Sequence, residues 1–193
     1  MKKICFITGT RAEYGLLSRL MRMVADDDRC QLQIIATNMH LLPEYGETYR
    51  EIEADGFAID AKVPMRKPTD DAYGVVESMA QEMAGINDAI SRLKPDLAVI
   101  LGDRYEMLVA ASVCLMHRVP IAHLHGGETT EGALDDSIRH SITQMSNLHF
   151  ASTEQYRQRI IAMGKNPDTV WNVGAIGIDN IKRISLMSKA ELE

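Results

Sequence analysis

The residues able to move protons in this chain crowd into one stretch, from Leu101 to His140. It runs L-G-D-R-Y-E-M, then a helix-length apolar segment, then I-A-H-L-H-G-G-E-T-T-E-G-A-L-D-D-S-I-R-H. The sharpest signal is H-L-H-G-G-E. Alternation along a strand would set His123 and His125 on one face, and Gly126 and Gly127 would let backbone approach a ligand, with Glu128 beside them. An H-x-H metal site needs a third ligand that the spacing does not supply, so no metal is expected. Asp103 and Arg104 follow Gly102 at the end of an apolar run that tolerates no interior charge. Asp103 therefore emerges at a strand's carboxyl end, as a base, a sugar hydrogen-bond acceptor or a helix N-cap. Glu106, one turn on, reads as dipole and salt-bridge decoration. Asp135, Asp136, Arg139 and His140 open a helix on which Asp135–Arg139 and Asp136–His140 share faces. Such pairs can push each other toward acid–base use, and the plainer reading is capping carboxylates with ordinary i,i+4 partners.

Two further loops fall on the same edge. G-T-R-A-E-Y-G joins the first strand to the first helix, where phosphate or sugar meets backbone N–H groups in α/β folds. Arg11 in that loop could fork onto a phosphate, or simply pair at the surface with Glu13. The loop is not G-x-G-x-x-G, and no acidic residue stands in the expected place after the second strand, so dinucleotide binding is disfavoured. Asn38, Met39, His40, Pro43 and Glu44 form a loop that could line a sugar pocket.

Positioning these groups calls for strands alternating with helices. Apolar, β-branched runs at residues 3–8, 31–37, 57–63, 96–101, 119–124, 148–152 and 170–173 read as strands. Between them lie helices at about 16–25, 47–54, 70–93, 104–117, 135–146 and 153–163, with a last one from 178 to the end. Val75, Met79, Met83, Ile86 and Ile90 are the expected core stripe of the long helix. S-T-E-Q-Y reads as a capping-box start. The pattern predicts an α/β fold: a Rossmann-like doubly wound parallel sheet with right-handed crossovers. The 193 residues suffice for one good core, and 46% hydrophobic with 25% charged residues is ordinary globular composition. A net charge of −6 without a Lys/Arg stripe argues against nucleic acid as a partner. No apolar run approaches the ~20 residues of a membrane span, and no leader precedes the first strand, which together suggest a cytoplasmic protein. Cys5 and Cys114 lie in apolar runs and read as small buried hydrophobes in a reducing compartment.

Taken in order, G-T-R-A-E-Y-G, L-G-D-R-Y-E, H-L-H-G-G-E-T-T-E-G-A-L-D-D-S-I-R-H-S-I-T and N-V-G-A-I-G-I-D-N resemble the hydrolysing UDP-sugar 2-epimerases over nearly the whole chain. That family includes UDP-N-acetylglucosamine 2-epimerases of sialic acid synthesis and relatives acting on UDP-N,N′-diacetylbacillosamine for legionaminic acid. T-T-E-G-A-L-D-D leans slightly toward the latter. The resemblance implies the N-terminal half of a glycosyltransferase-B-type two-domain fold, with residues 1–176 as the Rossmann-like domain and 177–193 as a linker helix toward a missing C-terminal domain. It implies chemistry without a redox cofactor: a base removes the C2 proton as UDP leaves C1 in an anti elimination, and water adds to the resulting acetamidoglucal. The products are UDP and a free 2-epimerised sugar, such as N-acetylmannosamine from UDP-N-acetylglucosamine. By the same resemblance Asp103 and Asp135 match catalytic carboxylates and Arg11 matches a substrate-holding arginine. Some relatives carry H-I-E-G-G, so the acid of that motif is replaced here by His125, with Glu128 nearby as the other candidate.

The expected catalytic set is thus Asp103, His125, Glu128 and Asp135. The expected substrate-binding set is Arg11, His40, Arg104, His123, Arg139 and His140. The expected partners are a UDP-N-acetyl-hexosamine, the second domain, and further copies of the chain as a homo-oligomer. The isolated domain is expected to be inactive. The competing readings are a non-hydrolysing 2-epimerase, a glycosyltransferase of the same fold, and a non-catalytic sugar-nucleotide-binding module.

Overall fold

A computed structural model describes residues 1–66, 69, 71–130 and 134–181. Seven strands form one parallel sheet: β1 (Lys2–Thr8), β2 (Cys30–Thr37), β3 (Ala61–Val63), β4 (Leu97–Leu101), β5 (Ile121–Leu124), β6 (Leu148–Ala151) and β7 (Val170–Asn172). Their spatial order is β3-β2-β1-β4-β5-β6-β7. The order reverses direction between β1 and β4, where Ile4 pairs with Leu97 and Phe6 with Val99. A parallel sheet of this kind opens a crevice at the strands' carboxyl ends beside that reversal.

Among the described residues six α-helices connect the strands, α1 (Arg11–Ala25), α2 (Tyr49–Ala54), α3 (Ala72–Leu93), α4 (Tyr105–Met116), α5 (Asp135–Met145) and α6 (Glu154–Ala162), and a seventh, α7 (Ile176–Ile181), follows β7. Each central strand is apolar on both faces because helices cover both. One core joins Cys5, Ile7, Ile35 and Ile100 to Ile86 and Ile90 of α3 and Met107 and Cys114 of α4. The opposite core joins Phe6, Ile34, Val99 and Leu124 to Leu17 and Met21 of α1. Cys5 and Cys114 are fully buried and unpaired. Burial pushes the Cys114 thiol up to about 12, so it behaves as the small hydrophobe the sequence suggested.

Four elements depart from the sequence reading. Helix α1 starts at Arg11, five residues earlier than its apolar stripe suggests. Thr10 is its N-cap, accepting from the Glu13 N–H, while the Glu13 side chain accepts from the Thr10 N–H. That reciprocal capping box turns most of the expected loop into helix. Strand β3 keeps only three of its expected seven residues. The Asp60 carboxylate accepts the Ile34 N–H at 2.8 Å, taking a donor that a longer strand would have paired. The buried face of α3 begins with Gly74, Ser78 and Glu82 before Ile86 and Ile90, and Met83 is 44% exposed. Finally, α6 is capped by Thr153 alone, whose hydroxyl accepts the Tyr156 N–H.

The boundary drawn at 176 falls at the start of α7, which lies on α1 through the Asn180 amide donating to the Gly15 carbonyl at 3.0 Å. The remainder of the expected linker helix, residues 182–193, lies outside the described residues. Among the described residues, no helix is long and apolar enough to cross a membrane.

Candidate active site

Two cavities compete for attention. The larger, about 640 Å³, lies against a sheet face and is walled by Phe6, Val99, Ala122, Leu124 and Phe150 with Leu20, Met23 and Val24 of α1. Its ionisable side chains are Arg19, Cys30 and Asp179, against an otherwise largely apolar lining. The smaller, about 290 Å³, opens at the carboxyl ends of β1, β4 and β5. Thr10, Ala12, Glu13 and Leu16 form one wall, and Gly102, Asp103, Arg104, His125, Glu128 and Arg139 the other. Its chemistry makes it the candidate site, despite the smaller volume.

The second wall is built from the sheet outward. Gly102 has φ +79°, a left-handed turn that a side chain would strain, and it swings Asp103 out over the strand end. Beneath it, the fully buried His123 donates from Nε2 to the Gly102 carbonyl at 2.8 Å, and its Nδ1 lies 3.2 Å from the Thr143 hydroxyl. Burial pushes the His123 pKa down to about 4, so the ring is neutral and acts as a strut under the Asp103 turn.

Asp103 does not cap α4. Arg104 occupies the N-cap position, without a side-chain cap. Instead Asp103 accepts from Arg139, a guanidinium whose side chain is 7% exposed and which also donates to Asp136 at 2.8 Å. Arg139 therefore joins Asp103 and Asp136, rather than Asp135 as the i,i+4 spacing suggested. Asp136 in turn accepts the Thr130 N–H at 2.8 Å, which ties the loop after β5 to α5. Neither Asp135 nor Asp136 is the N-cap of α5; Leu134 holds that position. Arg104 donates to Glu106, which is fully buried and no surface decoration.

His125 lies one residue past β5 with φ +63°, a left-handed conformation uncommon outside glycine. Its N–H donates to the Phe150 carbonyl at 3.0 Å and its Nδ1 lies 3.1 Å from Glu128 Oε1. The Ser152 hydroxyl donates to the same Glu128 oxygen at 2.5 Å. Burial raises the Glu128 pKa, but the hydrogen bonds from His125 and Ser152 outweigh it and hold the carboxyl below its ordinary value. Nε2 of His125 is buried and has no partner among the described residues.

The two glycines that follow serve the protein's own packing. A Cβ on Gly126 would come within 2.9 Å of the His123 ring, and one on Gly127 within 2.7 Å of Ile160 and the Tyr156 carbonyl. They seat the turn against α5 and α6.

The first wall is closed by its own chain. Glu13 Oε2 accepts the N–H groups of Gly9 and Thr10 at 2.7 and 3.2 Å, where a phosphate-binding turn would leave those donors for ligand. Burial, with the Glu106 carboxylate close by, pushes the Glu13 pKa up to about 7.

The structure thus gathers five of the ten expected residues into one cleft: Asp103, Arg104, His125, Glu128 and Arg139. The other five sit around it. Arg11 is exposed and pairs with Glu51 at 2.9 Å, not with Glu13. His40 is fully buried between the Thr8 and Thr48 hydroxyls at 3.1 and 2.8 Å. His123 lies below the cleft floor, Asp135 in the exposed first turn of α5, and His140 half-buried on the same helix. Glu13 and Ser152 were not anticipated. T-x-x-E at Thr10–Glu13 was a readable signal, and Ser152 directly follows a parallel strand, a position that favours function. Among the described residues, no group of three or more His, Cys, Asp and Glu could hold a metal ion.

Comparison with known proteins supplies a family. The sequence profile described as UDP-N-acetylglucosamine 2-epimerase matches residues 22–193. A protein of Campylobacter jejuni named GDP/UDP-N,N′-diacetylbacillosamine 2-epimerase (hydrolyzing) is 47% identical over all of this chain and half of its own length. Polysialic acid biosynthesis protein P7 of Escherichia coli is 41% identical over all of this chain and 49% of its own length. A UDP-N,N′-diacetylbacillosamine 2-epimerase (hydrolyzing) of Legionella pneumophila is 38% identical over 94% of this chain and 48% of its own. The chain spans about half the length of these curated relatives. Among solved structures, the UDP-GlcNAc 2-epimerase of Neisseria meningitidis bound to UDP-GlcNAc aligns with a TM-score of 0.82 at 19% identity, over 93% of this chain and 48% of that one. The likeness bears on the fold alone, a Rossmann-like half of the glycosyltransferase-B type.

Proposed function

The chain belongs to the UDP-N-acetylglucosamine 2-epimerase family, and we propose that it forms the N-terminal half-site of a hydrolysing UDP-sugar 2-epimerase acting on UDP-N,N′-diacetylbacillosamine. What supports the sugar is the 47% identity, over the whole chain, to a Campylobacter jejuni relative named for GDP/UDP-N,N′-diacetylbacillosamine, and what supports UDP is the 38% identity to a Legionella pneumophila relative named for the UDP form. What supports the chemistry is one cleft holding two cationic donors, Arg104 and Arg139, against proton-accepting groups, Asp103 and the His125–Glu128 pair. Eliminating UDP demands both at once. A base must take the weakly acidic C2 proton while cations face the diphosphate leaving from C1. The C2–H electrons become the C1=C2 bond, and the C1–O pair leaves with UDP. Water then adds across the double bond, giving the free 2-epimerised sugar. No step calls for a redox cofactor.

In this reading Asp103, His125, Glu128 and Asp135 serve the proton transfers. Arg11, His40, Arg104, His123, Arg139 and His140 hold the substrate or the site that receives it. A second domain supplies the remaining contacts to uridine and diphosphate, residues 177–193 lead toward it, and the assembled enzyme is a cytoplasmic homo-oligomer. The second reading, the same reaction on UDP-N-acetylglucosamine to give N-acetylmannosamine, draws on the 41% identity to the Escherichia coli polysialic acid protein.

The test is to join the chain to the second half that its relatives carry and to incubate it separately with each nucleotide sugar. Release of UDP with free 2-epimerised sugar from the diacetylbacillosamine substrate is the expected result. A UDP-linked epimer would instead identify the non-hydrolysing reaction. Transfer to an acceptor would identify a glycosyltransferase, and binding without turnover a non-catalytic module.

A further inference from the structure

We propose that Ser152, Glu128 and His125 form a relay in which Ser152 and Glu128 are positioning residues, holding His125 protonated on Nδ1 and bare on Nε2, so that Nε2 takes the C2 proton. This rests on the epimerase reading above for the identity of the proton, and on geometry alone for the relay.

The geometry runs inward from the sheet. Ser152 directly follows β6, the strand beside β5, and its hydroxyl reaches Glu128 Oε1 at 2.5 Å. The same oxygen lies 3.1 Å from His125 Nδ1. An ionised carboxylate carries no proton, so the hydrogen in that contact belongs to the imidazole. With Nδ1 protonated, a neutral ring presents a lone pair on Nε2. That atom has no partner among the described residues and is closed to solvent here, so it meets substrate only when the ring, part of which lines the cleft, turns toward it. A buried acceptor left unmatched costs about 1–3 kcal/mol, and the left-handed backbone at His125 adds strain. Two separate costs at one residue of a cleft mark a site arranged for something other than stability. His123 is locked to Gly102 and His40 to Thr8 and Thr48, whereas His140 Nε2 and both His149 ring nitrogens are also buried without a partner among the described residues but do not line the cleft. Asp103 is ion-paired with Arg139, so taking the C2 proton there would cost that part-buried pair, which leaves His125 the better placed for this one of the proton transfers they share.

The step balances. The C2–H bond breaks, its electron pair forms C1=C2, the C1–O bond breaks with its pair on UDP, and the proton resides on Nε2. The imidazolium so formed faces the Glu128 carboxylate, which stabilises it, as a buried carboxylate does for a catalytic histidine elsewhere. It returns the proton to water before the next turnover.

Two measurements test this, and they fail separately. Nitrogen-15 NMR of the 193-residue chain reads the His125 tautomer without any substrate. The expected spectrum has Nδ1 protonated and Nε2 bare, shifting toward the Nε2–H form in Glu128→Gln and Ser152→Ala and restored in Ser152→Thr. A wild-type Nε2–H tautomer, or one indifferent to both substitutions, overturns the relay. The second measurement is steady-state turnover of UDP-N,N′-diacetylbacillosamine by the chain joined to its second half. His125→Gln is expected to cut kcat by about 10³–10⁴, Glu128→Gln by about 10²–10³ and Ser152→Ala by about tenfold, with KM little changed. Ser152→Thr should recover most of the loss. Equal losses in kcat and KM for Ser152→Ala, without recovery by threonine, would overturn its positioning role. If wild-type protein with the expected tautomer releases no UDP, the epimerase reading falls and takes the C2 assignment with it.

Discussion

Two turns leave the same edge of the sheet, one after β1 and one after β5, and they are finished in opposite ways. After β1 the chain turns its backbone donors on itself, although Glu13 Oε1 stays buried without a partner among the described residues. Glu13 takes the N–H groups of Gly9 and Thr10, Thr10 caps the helix, and the carboxylate is 7% exposed. After β5 the chain leaves business undone: an unmatched imidazole nitrogen, a left-handed histidine and a carboxylate, Asp103, held out over the strand end by a buried arginine. In many α/β folds the first turn is the phosphate-binding one. Here its donors are spent internally, so the polar chemistry has moved along the edge to β4 and β5. What separates the two turns is therefore not residue type, since both hold carboxylates and each keeps a buried unmatched atom, but whether the backbone donors are spent within the turn itself.

The largest expected effect tests the open turn. Arg139→Leu strips the shared partner from Asp103 and Asp136, whose side chains are only 20% and 28% exposed. Leaving partly buried carboxylates unpaired should cost about 3 kcal/mol, which lowers the Tm of a chain this size by roughly 10 °C. Thermal unfolding at pH 7 followed by circular dichroism checks it. A loss under about 1 kcal/mol would mean that water, not Arg139, holds Asp103 in place.

The closed turn is tested through pH. The Glu13 carboxyl is raised to about 7 in the folded chain, by burial first and by Glu106 second, against an ordinary value of 4.5. The unfolded chain therefore releases this proton at a lower pH than the folded chain does. Stability from this group is fully present below 4.5 and is lost as pH rises toward 7. Glu13→Gln keeps an acceptor for Gly9 and Thr10 but has no proton to lose. Its Tm should match wild type at pH 4 and exceed it by about 3 °C at pH 8. A constant offset across that range would place the Glu13 titration elsewhere. Glu82, pushed up to about 9 by burial beside Glu106, adds a background slope of the same sign to both proteins, so the comparison stays clean.

The scaffold was legible because its signal is local. Apolar runs such as Asp96–Leu101 can only be buried parallel strands, and seven of them separated by helices leave few topologies. The polar interior was not legible. Ser78, Glu82 and Glu106 lie on helix faces that a hydrophobic-stripe reading assigns to solvent, yet all are fully buried. The partners of two of them, Thr37 for Glu82 and Arg66 for Ser78, are distant in sequence or on another element. The site was half legible for the same reason. Asp103 and His125 could be placed at strand ends, but the pairing of Arg139 with Asp103 spans 36 residues and that of Ser152 with Glu128 spans 24. Helical spacing favoured Asp135 as the partner of Arg139, and tertiary geometry chose otherwise.

The smallest expected effect sits just outside both turns, at Arg11. Its side chain is 73% exposed and that of Glu51, with which it pairs, is 45% exposed, so screening leaves little of the ion pair. Arg11→Ala should change unfolding free energy by less than about 0.5 kcal/mol. Yet Arg11 opens α1 next to Thr10 and Ala12, which line the cleft, and a guanidinium there can reach an anionic ligand. If the β1 turn contributes anything to substrate, it must be through this side chain, because its backbone donors are already taken by Glu13. The expected outcome is a stability-neutral variant whose KM for the nucleotide sugar rises about tenfold with kcat nearly unchanged, measured in the chain joined to its second half. An unchanged KM would leave the β1 turn wholly structural and sharpen the contrast with the turn after β5.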